Sequence, residues 1–247
     1  MSGAVLLVDV GNSRIKWALV QSPEWLADGI SSHSESTALL QAWDRFPRPA
    51  KVVACNVAGE ERGRMLADYW QARDVPLHWM KSPRSGWGVR NLYDRPQQLG
   101  SDRWASLVGA WGRARGACLV VSAGTALTMD ALNERGEFIG GLIMPGKQLM
   151  LRSLAEGTHA LDESSGLARE FPRNTADAMT SGIATAMSSA VEASCRRLES
   201  ACKSRPACIL SGGDAGWLAK QLQIGVIIAP RLPLEGLLIM ATGEEEK

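Results

Sequence analysis

Val5-Leu6-Leu7-Val8-Asp9-Val10-Gly11-Asn12-Ser13 is an apolar run that breaks into a polar turn, and apolar alternation resumes at Ile15, Trp17 and Leu19. The same pattern returns later in the chain. Cys118-Leu119-Val120-Val121 runs into Ser122-Ala123-Gly124-Thr125, and Leu127 and Met129 follow. Each stretch reads as a buried strand, a turn of glycine and hydroxyl residues, and a return strand. A glycine in such a turn can take φ > 0 and lets backbone N–H groups approach an anion closely. Two such turns in two halves of one chain predict a nucleotide held between two related domains.

Outward from these turns, the pattern is that of an α/β protein with an internal duplication. Residues 4–9, 13–20 and 25–30 read as adjacent antiparallel strands, 35–45 and 60–72 as helices, and 51–55 and 75–79 as short strands. Residues 81–100 are rich in Gly, Pro, Ser, Asn and Gln and read as a long loop, a length that usually signals function or disorder. A helix follows to about residue 115, with Ser101 expected at its N-cap. The second half, from 116 to 247, offers a strand at 118–122 and a hairpin of 126–133 with 136–143. A turn at Pro145-Gly146 then leads into a helix to about residue 155. Irregular chain over 156–173 precedes a long helix opened by Thr175. Then come a strand at 207–211, the Ser211-Gly212-Gly213-Asp214 turn, a helix at 215–222, a strand at 224–229 and a last helix from Leu232. The expected domains are therefore 1–115 and 116–247. The Glu244-Glu245-Glu246-Lys247 tail reads as a solvated end.

The 247 residues carry a net charge of +1, which gives no electrostatic argument for nucleic acid or an acidic membrane surface. No apolar run is long enough to span a bilayer. Met1-Ser2-Gly3-Ala4 passes directly into a strand without a basic region, so no signal peptide and a cytoplasmic location are expected. Cys55, Cys118, Cys195, Cys202 and Cys208 form no C-x-x-C pair, and His33, His78 and His159 are not spaced with them for zinc. The cysteines read as reduced structural thiols and the histidines as surface or core residues. The nine tryptophans read as packing or interface residues.

The candidate site residues each carry a structural reading beside a functional one. Asp9 closes a buried strand, where a carboxylate can hold Mg²⁺ while the N–H groups of Gly11, Asn12 and Ser13 cradle phosphate and Lys16 neutralises charge. A plain hairpin with an Asx-type turn would look the same. Gly100-Ser101-Asp102-Arg103 places a carboxylate and a guanidinium at a helix start. Arg103 can grip a carboxylate there and Asp102 can accept a hydroxyl proton, although simple helix capping explains the same residues. Thr125 is a candidate phosphate contact. Thr175 can be a helix cap. Gly140-Gly141, Pro145-Gly146 and Ser211-Gly212-Gly213-Asp214 are turn chemistry by themselves.

Together these residues resemble the superfamily of acetate kinase, sugar kinases, heat-shock chaperones and actin. Within it they resemble the type III pantothenate kinases. The resemblance rests on Asp9-x-Gly-Asn-Ser-x-x-Lys16, on Tyr93 with Pro96 and Leu99-Gly100-Ser101-Asp102-Arg103-Trp104, and on Gly124-Thr125-Ala126-x-Thr128. It continues through Gly140-Gly141-x-Ile143-x-Pro145-Gly146, Asn174-Thr175 and Ser211-Gly212-Gly213-Asp214. Each motif is weak alone, and their order and spacing from residue 9 to residue 214 make the signal specific.

The resemblance implies two duplicated ribonuclease H-like, actin-like ATPase halves with a nucleotide cleft between them. It implies ATP-dependent phosphorylation of pantothenate at its 4′-hydroxyl, the first step toward coenzyme A, by a cytoplasmic homodimer. ATP would be bound by Asp9, Gly11, Asn12, Ser13, Lys16, Gly124 and Thr125, with Mg²⁺ at Asp9. Pantothenate would be bound by Tyr93, Gly100, Ser101, Asp102, Arg103 and Thr175, with Asp102 the catalytic base. Thr175 lies in a region that helps complete the neighbouring subunit's site in dimers of this family. The Ser211-Gly212-Gly213-Asp214 turn would lie on the adenosine side. Related Bordetella accessory-factor proteins share the pattern, so a non-catalytic regulator on the same fold is the alternative. The intact set Asp9, Lys16, Asp102 and Arg103 favours the enzyme.

One residue departs from the family pattern. Ser122 stands where the family usually has an aspartate associated with a monovalent cation, potassium or ammonium. A neutral hydroxyl there should lower cation affinity. Either the enzyme depends less on the cation or its activity is weakened, and the first reading is favoured because the other motifs are intact. Asp130, on the following strand, is a candidate to compensate.

Overall fold

The computed structural model describes residues 3–159, 161–162 and 164–243, so the acidic tail read as a solvated end lies outside the described residues. The chain divides into two compact units, Met1–Arg113 with Arg231–Lys247, and Ala114–Pro230.

The first unit begins with three strands, β1 (Val5–Val10), β2 (Arg14–Gln21) and β3 (Glu24–Ser32), then α1 (Ser36–Trp43), β4 (Lys51–Asn56), α2 (Glu60–Gln71) and β5 (Leu77–Trp79). The sheet order is β3-β2-β1-β4-β5, with an antiparallel meander on one side of β1 and parallel strands on the other. Alternate residues of β1, β2 and β4 point to opposite faces. Leu6, Val8, Val10, Ile15, Trp17, Leu19, Val52 and Ala54 form one face and bury Leu39, Trp43, Leu66 and Trp70 of α1 and α2. Four of the aromatic rings in this layer make a chain of contacts: Trp17 meets Trp43 edge-on at 6.1 Å, Trp43 lies 5.5 Å from Trp70, and Trp70 lies 4.9 Å from Tyr69. Trp17, Trp43 and Trp70 therefore act in packing.

The segment expected to be a long loop contains structure. β6 (Ser85–Gly86) and β7 (Val89–Asn91) form a tight antiparallel hairpin, and a 3₁₀ turn spans 96–98. Arg84 organises this segment by donating to the carbonyls of Asn91, Tyr93 and Asp94. Helix α3 (Ser101–Ala114) follows. Ser101 is its first helical residue rather than its cap. Gly100 occupies the cap position, and its carbonyl accepts from the Trp104 N–H at 3.0 Å.

The second unit contains β8 (Cys118–Ala123), β9 (Ala126–Leu132), β10 (Glu137–Pro145), α4 (Lys147–Gly157), α5 (Thr175–Cys202), β11 (Ala207–Ser211), α6 (Ala215–Ala219) and β12 (Ile227–Ile228). Its strands run in the order β10-β9-β8-β11-β12, the same topology as the first unit strand for strand. The expected duplication is thus visible in sheet order and direction. One face of β8, β9 and β11 buries Leu119, Val121, Leu127, Met129 and Leu210 against Met179, Ile183, Met187 and Val191 of α5.

The final helix, α7 (Leu232–Thr242), was expected in the second half, but it groups with the first unit. It packs on β1, β2 and β4 and crosses α3 closely. A Cβ at Gly236 would overlap the Ala105 carbonyl, and one at Gly109 would press on the Leu232 carbonyl. Only glycine at these positions allows the two helices so near. No helix among the described residues is long and apolar enough to cross a membrane.

Candidate active site

At the end of β1, strand register sets three side chains in a row on the face turned toward α7. Asp9 is paired with Lys16 of β2 and with Cys55 of β4. Asp9 is only 5% exposed, and each of its oxygens has a neighbour. The Cys55 thiol donates to Oδ1 at 3.3 Å, and the Lys16 ammonium lies 3.8 Å from Oδ2. Burial, then the charges of Asp9 and Asp102, push the Cys55 thiol well above its ordinary pKa, so it remains an S–H donor.

The turn beyond Asp9 is tight because the Gly11 N–H donates to the Arg14 carbonyl at 3.0 Å. The expected positive φ is absent at Gly11 and at Gly124. At Gly11 the reason for glycine is space, since a Cβ there would lie 3.2 Å from the Arg14 carbonyl oxygen. The Gly11 carbonyl is bonded by His33 Nε2 at 2.8 Å. His33, read from sequence as a residue without an arranged partner, thus braces the turn. Asn12 and Ser13 stand exposed at its tip.

The start of α3 gathers the second group. The Asp102 Oδ1 accepts from the Arg103 N–H at 2.8 Å. The Arg103 guanidinium is buried, donates to the Tyr93 hydroxyl at 3.3 Å and lies 5.9 Å from the centre of its ring. A Cβ at Gly100 would come within 2.7 Å of Asp102 Oδ1, so glycine leaves that carboxylate undisturbed. Tyr93 is held by a residue that sequence reading missed. The fully buried Asn91 accepts from the Tyr93 N–H and donates to the Pro96 carbonyl. A cavity of about 630 Å³ opens beside this helix start, reaching Gly100 and Ser101 and bounded by Val57, Trp79, Ser82 and Leu99.

In the second unit the same topological row is neutral. Ser122 at the end of β8 is paired with Thr128 of β9 and Ser211 of β11. The Thr128 and Ser211 hydroxyls are buried with no hydrogen-bond partner. Asp130, 1% exposed, pairs with Val120 instead, one step down the same face, and so lies outside the Ser122 row. The neighbouring turn is packed backbone on backbone. The Gly146 N–H donates to Thr125 O at 2.9 Å and the Asp214 N–H to Ala123 O at 3.0 Å. Side chains at Gly146 or Gly212 would overlap the carbonyls of Gly124 and Ala123, and Gly212 also has φ +98°. These two glycines serve the turn of the β8–β9 hairpin. Thr175 is the first residue of α5, and the cap is Asn174, whose side chain accepts from the Asp177 N–H at 2.8 Å.

The candidates of the first unit therefore fall into two groups, Asp9 with Gly11 and Lys16, and Tyr93 with Gly100, Asp102 and Arg103. Residues 5–197 match the sequence family described as type III pantothenate kinase. The chain belongs to the type III pantothenate kinase family. It is 41% identical over 246 residues to the type III pantothenate kinase of Nitrosospira multiformis, covering 100% of this chain and 94% of that one. Pantothenate kinase is a phosphotransferase, and this is the activity that membership carries. Among solved structures, a Campylobacter jejuni protein assigned to the Baf family of transcriptional activators matches with a TM-score of 0.65 at 20% identity, covering 96% of this chain and 98% of that one. MreB 5 of Spiroplasma citri bound to AMPPNP matches at 0.54 and 10% identity, covering 97% and 96%. At such identities these likenesses concern the fold alone, which is that of the actin-like ATPases.

Proposed function

We propose that this chain phosphorylates the 4′-hydroxyl of pantothenate with Asp102 as the base and with Asp9, Lys16 and the turn N–H groups of Gly11, Asn12 and Ser13 on the phosphates of ATP. The observation that carries the reading is the geometry of two charged groups, Asp9 with Lys16 3.8 Å away at the end of β1, and Asp102 beside Arg103, whose guanidinium donates to the Tyr93 hydroxyl, at the start of α3. One carboxylate comes from the end of a strand, where a phosphate turn begins, and the other from the start of a helix. Asp102 takes up the hydroxyl proton as the oxygen bonds to the terminal phosphorus and the bond from that phosphorus to the β-phosphate oxygen breaks, releasing ADP. Arg103, already oriented by Tyr93, binds the pantothenate carboxylate in a charge-assisted pair. For phosphoryl transfer, this positioning and the neutralisation of charge matter more than proton removal. In the second unit, Gly124 and Thr125 supply further phosphate contacts, and the turn at 211–214 lies on the adenosine side.

Mg²⁺ fits the donor set. Among the described residues no cluster of three or more His, Cys, Asp or Glu could hold a metal by itself. Mg²⁺ bound with a nucleotide needs only one or two carboxylates, because phosphates and water complete its shell. Asp9 would hold it, and the ion would neutralise phosphate charge. At Ser122 the proposal is a relaxed requirement for potassium or ammonium, supported by the neutral Thr128–Ser122–Ser211 row and by the offset of Asp130 from it.

A homodimer in which Thr175 serves the neighbouring subunit's pantothenate is supported by apolar side chains left exposed in the second unit, Ile143 at 64% and Phe171 at 81%. A cytoplasmic location is supported by five free cysteines. The test is coupled ADP release with ATP, Mg²⁺ and pantothenate, in potassium, ammonium or choline salts. Turnover that requires pantothenate and persists in choline supports the kinase activity and the relaxed cation requirement. Folded protein with no turnover in any salt would overturn the proposal.

A further inference from the structure

We infer that Cys55 is a positioning residue for Asp9, an inference that rests on the proposed role of Asp9 at the nucleotide phosphates. The parallel pairing of β1 and β4 sets Cys55 directly beside Asp9 on the same sheet face. The thiol is fully buried and Asp9 nearly so, so water does not compete for the carboxylate oxygen that Cys55 bonds. Lys16 cannot fix the carboxylate alone. Its ammonium is 3.8 Å from Oδ2, beyond hydrogen-bond distance, and its side chain is 22% exposed. The directional contact on Asp9 is therefore the S–H···Oδ1 bond of 3.3 Å. It pins one oxygen to the sheet and leaves the other facing Lys16. A thiol is a weak donor, but here the acceptor is charged, which strengthens the bond. The corresponding row of the second unit makes the same point by contrast. Ser211 holds the place of Cys55 there, and with Ser122 in place of a carboxylate its hydroxyl has no partner.

The test compares Cys55→Ser, which keeps a donor, with Cys55→Ala and Cys55→Val, which do not, and with Asp9→Asn. The measurements are kcat and the Mg²⁺ concentration for half-maximal rate, KM for pantothenate, the calorimetric affinity for ATP with and without Mg²⁺, and the melting temperature. Both non-donor variants should lose about tenfold in kcat and weaken the Mg²⁺-dependent part of ATP binding about tenfold, the usual effect of removing a partner that orients a metal-binding carboxylate. KM for pantothenate should stay put, and Cys55→Ser should recover most of the loss. A role in packing alone predicts the reverse order, with the polar Ser worse than Ala or Val. That order, or wild-type behaviour of Ala and Val while Asp9→Asn is inactive, would overturn the role of Cys55 and leave Asp9 in place. Full activity of Asp9→Asn would overturn both.

Discussion

Replacing Ser122 by aspartate tests the physical reading of the second unit's neutral row. Thr128 lies directly opposite Ser122, and Asp130 is two residues further along β9 on the same face. A carboxylate at 122 would therefore be a diagonal neighbour of Asp130, about 7–8 Å away. At an effective dielectric constant near 20, two such charges repel by about 2 kcal/mol. For a chain of this size that corresponds to a melting temperature lower by about 4–8 °C. A bound monovalent cation would offset the repulsion, and at ten times its Kd it returns about 1.4 kcal/mol. The prediction is that S122D melts well below wild type in choline chloride and recovers most of the difference in potassium chloride of equal ionic strength. Its ADP-release rate should become potassium-dependent, while wild type responds little in either assay. Equal melting of the two proteins in choline would refute the electrostatic argument. An equally strong potassium response in wild type would refute the reading that Ser122 relaxed the cation requirement.

Asp102→Asn should lower kcat by about 10²–10⁴-fold, the range for loss of a general base. Its stability should change only by the amount expected for one charge at a helix start, about 0.3–1 kcal/mol, and a variant with normal turnover would remove Asp102 from the chemistry. Gly236→Ala adds a methyl that overlaps the Ala105 carbonyl. Overpacking against backbone should cost about 3 kcal/mol, more than the roughly 1 kcal/mol gained in helix propensity, and a variant melting at or above wild type would contradict the close crossing of α3 and α7. Asp177 accepts from the Leu167 N–H at 2.7 Å, which, with Asn174 and Arg169, holds its carboxyl below the ordinary carboxylate range. A depressed pKa means that this tether is fully present above the ordinary value and is lost as pH falls through the lowered one. The Leu167 amide resonance should therefore shift with a midpoint below about pH 3.9, and a midpoint at or above that value, or the same transition in Asp177→Asn, would count against it.

Sequence by itself determined where strands meet turns. Asp9-Val10-Gly11 and Ser122-Ala123-Gly124 were legible because burial forces apolar alternation up to the point where the chain leaves the sheet. The long helix at 175–202 was equally legible, since its polarity pattern is local, although its cap is Asn174 and not Thr175. The grouping of Tyr93 with Gly100–Arg103 came from motif order, and the structure brings these residues into contact through Arg103. The segment 81–100 misread as loop because a hairpin as short as β6–β7 leaves almost no alternation to detect.

What only the tertiary structure decided depends on contacts between residues distant along the chain. Cys55 lies beside Asp9 because β1 and β4 pair in parallel, and no local pattern sets that register. His33 reaches Gly11 because β3 folds back along β2. Gly146 and Gly212 are glycines because other backbone occupies the space a side chain would need. The last helix returns to the first unit because its apolar face and Gly236 fit α3, a match of shape that composition does not carry. The kind of residue at the site follows from the chemistry each position needs, which sequence records. The orientation of each residue follows from strand register and close packing, which only the folded chain supplies.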